Sequence, residues 1–154
     1  MSSSDSFGVP APSRTSAPTD SAVVRGDTGL LRLALRLDAV ATGAVGAAAL
    51  IGCAALDQVL GLPVAFLAGV GAFLVLYALF PGRVGSASAP NRKAVWAVVG
   101  GNLAWFALSV VTAAAGRLDP TGLGTVVIVV QAVAVLGFAD VQLLGLRRAR
   151  RSPA

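Results

Sequence analysis

Four long stretches of the chain carry almost no polar side chains. Residues 39–56, 63–80 and 94–116 hold no charge, and residues 123–146 hold one, Asp140. Crossing about 30 Å of hydrocarbon at about 1.5 Å per residue takes roughly 20 helical residues, and all four runs approach that length. They are apolar on every side, whereas a membrane β-strand alternates apolar and polar residues. The pattern predicts an all-α, four-helix transmembrane bundle with helices at about 37–56, 63–80, 94–116 and 123–146. The breaks carry turn chemistry. Pro63 is placed to open a helix, Pro81-Gly82-Arg83 is placed to stop one, and Asp119-Pro120-Thr121-Gly122 turns the third helix into the fourth.

The flanks are different. Residues 1–28 are rich in Ser, Thr, Pro and Ala, and such a segment buries too little apolar surface to offset its ordering entropy. It is expected to be a disordered segment preceding a 29–146 membrane domain, with a basic tail at 147–154. The first apolar run starts too far in, and is too long, for a cleaved signal peptide. Residues 29–37 read GLLRLALRL, with Arg32 and Arg36 one turn apart; this piece is expected to lie among lipid headgroups before the chain turns inward.

Basic residues set the orientation. The N-terminal segment, the loop between helices two and three, and the C-terminal tail hold eleven of the twelve Lys and Arg residues; the two short turns hold only Arg117. Both termini are therefore expected in the cytoplasm of a plasma-membrane protein. Tyr77, Phe80 and Trp96 lie towards the same side, as interfacial aromatics do.

Composition narrows the chemistry. The chain is 56% hydrophobic and 12% charged, with mean hydropathy +0.81, against about 25% charged in a soluble domain. It has no histidine and no glutamate, and Cys53 is alone. Histidine metal sites, His-based triads, paired glutamates and disulfides are thus excluded. No catalytic residue, metal or cofactor is expected, and the chain is not read as an enzyme. The net charge of +5 sits at the ends of apolar runs rather than over one solvated face, so nucleic acid is not the expected partner. Arg32, Arg36, Arg147, Arg148, Arg150 and Arg151 are expected to contact anionic headgroups.

Four polar residues fall within the spans. Asp38 opens the first predicted helix and shares a face with Leu31, Leu35, Thr42 and Val45. That face is expected to point into the bundle; the plainer reading of Asp38 is an aspartate near a helix N-terminus that suits the macrodipole and pairs with nearby arginines at the interface. Asp140 lies about six residues before the end of the fourth helix; an intramembrane ionisable group there is a functional-site candidate, with a structural ion pair or a snorkelling carboxylate as the plainer reading, and Arg147 or Arg36 would be its partner. Asn102 and Gln131 are suited to hydrogen-bonding helices together or to lining a path. Gln131 and Gln142, eleven residues apart, share one face, whereas Asp140 projects to nearly the opposite one. A single bundle does not readily bury both, so one polar face should meet a second copy or another membrane protein. Small residues at four-residue spacing, such as Ala39-Gly43-Ala47, Ala44-Ala48-Gly52, Ala65-Gly69 and Ala97-Gly101, favour close helix approach. Leu56-Asp57 with Gly61-Leu62, and Leu118-Asp119 with Gly122-Leu123, form a weak parallel repeat of the two helical hairpins.

In its Arg36-Leu37-Asp38-Ala39-Val40, Val95-Trp96-Ala97-Val98-Val99-Gly100-Gly101-Asn102 and Phe138-Ala139-Asp140-Val141-Gln142 segments the chain resembles the uncharacterised small four-helix integral membrane proteins of high-GC actinobacteria. The resemblance covers about residues 30–150 and implies the four-helix fold without transferring an activity. The functional expectation is a structural or accessory membrane protein acting by association. The alternative is a small transporter or channel subunit, of the size of the small multidrug exporters, with Asp38 or Asp140 standing where those exporters use a glutamate.

Overall fold

The computed structural model describes residues 28–115 and 118–151, excluding the side chains of Arg150 and Arg151. The expectations for residues 1–27, for Arg117 and for the end of the tail lie outside the described residues. Five helices follow in order: α1 (Gly29–Ile51), α2 (Cys53–Leu60), α3 (Val64–Ser86), α4 (Arg92–Ala114) and α5 (Gly122–Arg151). α1, α3, α4 and α5 are each long and apolar enough to cross a membrane. The predicted four-span all-α architecture is therefore what the chain adopts.

The helix bounds depart from the sequence expectation at informative places. The stretch 29–37 does not lie apart; it forms the first turns of α1. Leu31 and Leu35 are fully buried in a core with Val84, Val95, Val98, Leu146 and Ala149, which continues the helix straight through Arg32 and Arg36. At the other end Gly52 divides the predicted first helix into α1 and α2, and α2 runs on through Asp57 and Gln58. It stops at Gly61, whose φ of 67° is left-handed and whose N–H caps Asp57, a conformation only glycine adopts at no steric cost.

α3 does not stop at Pro81. The proline removes one helical N–H, yet the helix continues to Ser86 with Pro81 buried. The turn beyond the proline packs closely on α1, where a Cβ on Gly85 would lie 2.9 Å from Leu35 Cβ, and the packing is as tight further back along α3. A Cβ on Gly46 would lie 2.8 Å from both Leu74 Cβ and Val75 N, and one on Gly71 would lie 2.6 Å from Leu50 N. The two backbones thus touch at a paired glycine contact. Asn91 opens α4, its side chain accepting from the N–H groups of Lys93 and Ala94 at 2.8 and 3.4 Å, the usual role of Asn at an N-cap. α5 extends past residue 146 because Leu146 and Ala149 are buried against the start of α1.

Packing is uneven. α1 runs along α3, and α5 touches both α1 and α4, whereas α3 and α4 meet sparsely and no Cα of α1 comes within 8 Å of a Cα of α4. At the end carrying the two turns, the chain is clamped. Thr121 donates its N–H to Leu60 O (2.9 Å) and its hydroxyl to Val59 O (2.8 Å), while Leu60, Leu62 and Leu67 form a second core with Leu118 and Ile128. The two turns of the weak repeat thus pack together, but their glycines differ: Gly61 ends α2 in the left-handed region, whereas Gly122 opens α5 without it.

Candidate functional site

The gap between α1 and α4 is bridged by side chains centred on Asp38. Asp38 lies nine residues inside α1 and is 0% exposed. Its Oδ2 accepts from Asn102 Nδ2 on α4 (2.8 Å) and from Gln142 Nε2 on α5 (2.7 Å). Its Oδ1 accepts from the Thr42 hydroxyl one turn on (3.1 Å). The Tyr77 hydroxyl of α3 is within hydrogen-bond distance of two acceptors, Val98 O (3.2 Å) and Asn102 Oδ1 (3.4 Å). One carboxylate therefore ties three spans directly and reaches the fourth through Asn102.

The face expected of Asp38 is the inward one: Leu31, Leu35 and Thr42 are buried with it, and only Val45, 43% exposed, turns away. The arginine pairing considered for it does not form. Arg32 and Arg36 instead aim their Nε–H groups at Gly85 O, at 3.5 and 3.1 Å. That carbonyl lies in the last turn of α3, where unpartnered acceptors and the helix dipole favour cations. Among the described residues no ion pair joins either Asp38 or Asp140 to an arginine.

Of the residues singled out beforehand, Asp38 and Asn102 meet, while Gln131 and Asp140 stand apart from them. Asp140 is exposed on the outer face of α5, without the Arg147 or Arg36 partner expected for it; Arg147 and Arg148 are exposed further along the same helix. The conflict between the two polar faces of α5 is resolved in favour of Gln142, fully buried at the cage. Its Oε1 has no partner. Tyr77, read as an interfacial aromatic, sits inside the bundle instead. The spacing that placed Thr42 on the Asp38 face was a usable signal for one cage member, and the polar face shared by Gln131 and Gln142 for another, though without its partner; nothing local marked Tyr77 as a cage residue.

Towards the turn end from the cage, the separation of α1 from α4 leaves space. A cavity of about 610 Å³ is floored by Thr42, Tyr77 and Asn102 and continues past Trp105 and Gln131. A second, of about 570 Å³, lies beyond and shares Trp105 and Gln131 with the first. Phe73 stacks on both Tyr77 and Trp105, with ring centroids 6.0 and 5.6 Å apart, lining one wall with parallel aromatic faces. Compared with known protein families, with characterised proteins and with solved structures, the chain matches none.

Proposed function

We propose that this is a multi-pass plasma-membrane protein without catalysis of its own, which works by associating with a second copy through the outer face of α5. The observation that carries the reading is Asp140. Val133, Gly137, Asp140, Leu144 and Arg147 follow one another at alternating spacings of four and three, and all five are exposed. That spacing is the seam of a paired helix, in which one polar residue sets register and small residues allow close approach. A carboxylate facing hydrocarbon costs about 2.5–3.5 kcal/mol at a span's centre and less towards its ends; Asp140, eighteen residues into α5, bears the smaller cost, which a seam that also carries Arg147 offsets. The Asp38 cage supports the same reading. Its carboxylate is sealed and its donors come from the same chain, which suits a tie between helices. In this reading the arginine-rich end, with both termini, is cytoplasmic and contacts anionic lipid.

Disulfide trapping in native membranes tests the proposal. In a Cys53→Ser background, Gly137→Cys should give a dimer of twice the chain mass, and Leu103→Cys on α4 should not. Absence of the Gly137→Cys dimer, equal trapping at both sites, or a heterologous adduct alone would refute self-association.

One observation favours a second reading, a small transporter. Thr42, Asn102 and Tyr77 belong both to the Asp38 cage and to the cavity floor, so a rearrangement of these three would open the carboxylate to a ligand. That reading requires proton- or substrate-coupled flux in proteoliposomes that disappears in Asp38→Asn, and flux insensitive to both Asp38→Asn and Asp140→Asn would dismiss it.

A further inference from the structure

We propose that Arg32 and Arg36 of α1, clipped onto the last turn of α3, bind the terminal phosphate of a lipid phosphomonoester, the chemistry of a phosphatidate headgroup. Both Nε–H groups aim at one carbonyl, Gly85 O, at 3.5 and 3.1 Å. Close approach of the two helices brings them there: a Cβ on Gly85 would lie 3.2 Å from both Arg32 O and Arg36 Cγ. The two guanidiniums therefore stand side by side. Each has used one N–H of its fork on the carbonyl and keeps the others. Nothing among the described residues balances their charge. Residues 28–37, 83–93 and 141–149 hold no Asp or Glu. Asp38, the acid of α1, is fully buried and already bonded to Asn102, Gln142 and Thr42. Like charges held this close repel, and one carbonyl does not neutralise two cations. An anion taken by both forks does.

Charge and shape select the anion. A phosphomonoester carries about −1.5 to −2 at neutral pH and offers three acceptor oxygens. That matches two guanidiniums in charge and meets their forks bidentately. A phosphodiester headgroup offers less charge and fewer free oxygens. The arginines stand between the anion and the C-terminus of α3, so the helix dipole acts on the cations first. Depth selects the source. α3 runs 23 residues, about 34 Å at about 1.5 Å per residue, so Gly85 lies at the edge of an about 30 Å hydrocarbon layer, where lipid phosphates stand. Further in along α1 the surface is apolar and open, with Leu37 52% and Val40 69% exposed, as the acyl chains of such a lipid require. Arg147 and Arg148 are exposed at the same end but share no acceptor, so they supply the diffuse contact with anionic lipid. The site rests on the membrane placement proposed above and is independent of the α5 seam.

The test is native mass spectrometry of the full-length protein released from detergent micelles, titrated with dioleoylphosphatidic acid and, separately, with dioleoylphosphatidylglycerol. Phosphatidic acid should saturate a first site at one lipid per chain, about tenfold or more tighter than phosphatidylglycerol. Arg32→Gln and Arg36→Gln should each weaken that site about tenfold or more, the loss of a hydrogen bond to a charged group. Arg36→Lys keeps the charge but not the fork and should weaken it as well. Circular dichroism identifies any glutamine variant that fails to fold, and Arg36→Lys then decides alone. Arg147→Gln with Arg148→Gln removes more charge and should leave the first site unchanged. Wild-type binding by Arg36→Lys would overturn the proposal. So would equal weakening by the Arg147 and Arg148 pair, or displacement of the lipid by equimolar glycerol 3-phosphate, which would make the site one for soluble phosphate. Equal affinity for the two lipids sinks the site and leaves the membrane placement standing, whereas a chain that needs no detergent would remove both.

Discussion

The carboxylate–amide bond between Asp38 and Asn102 should be a measurable share of the bundle's stability, because no backbone approach joins α1 to α4. Inter-helix hydrogen bonds in membranes average about 0.6 kcal/mol, with a maximum near 1.7. A charged acceptor roughly doubles a hydrogen bond's strength, and the 2.8 Å distance is that of a charge-assisted bond. The expected coupling is thus about 1–2 kcal/mol. Asn102→Leu keeps the side-chain volume while removing the donor to Asp38 and an acceptor near Tyr77. Asp38→Asn keeps the shape while removing the charge. The double-mutant cycle, read as equilibrium unfolding in mixed detergent–dodecylsulfate micelles by near-ultraviolet dichroism, isolates the pair. The changes at Thr42 and Gln142 on Asp38→Asn, and at Tyr77 on Asn102→Leu, cancel in the cycle; because asparagine at 38 still accepts, the coupling reads what the carboxylate charge adds to the bond with Asn102. Pairing Asp38→Asn with Gln131→Leu instead should be additive within about 0.5 kcal/mol, since Gln131 does not touch the cage. A coupling below about 0.5 kcal/mol for Asp38–Asn102 would refute the view that this carboxylate ties α4 to the rest.

Gln142→Met should cost less stability than Asn102→Leu in the same assay, because it deletes an unpartnered acceptor along with the donor it removes. Gly71→Val should lose about 1–3 kcal/mol or more through overpacking, since its new Cβ lands 2.7 Å from Gly46 O; an unchanged unfolding midpoint would contradict the glycine contact. Thr121→Val should raise amide exchange across residues 118–124 with about 1 kcal/mol of local loss, leaving the Asp38 end unaffected. A fluorescent reporter fused after Ala154 should be active in the cytoplasm, and activity confined to the outside would reverse the topology.

What can be read along the chain is whatever depends on short segments. Uninterrupted apolar length dictates the four spans, because a backbone in hydrocarbon must satisfy its own hydrogen bonds. Helical spacing placed Leu31, Leu35, Asp38 and Thr42 on one inward face. The same local logic fails at two places: Pro81 does not end α3, and residues 29–37 belong to α1 rather than preceding it, because contacts with distant leucines and glycines outweigh those local signals. Which polar face of α5 turns inward was a tertiary decision. Gln142 and Asp140 lie two positions apart on opposite sides of one helix, and only the approach of Asp38 from α1, 104 residues away in sequence, gives one of them a partner. The cavity has the same origin. No segment encodes a space; it exists because α1 and α4 meet through the side chains of the Asp38 cage rather than backbone to backbone, leaving a volume lined by Trp105 and Gln131 among others.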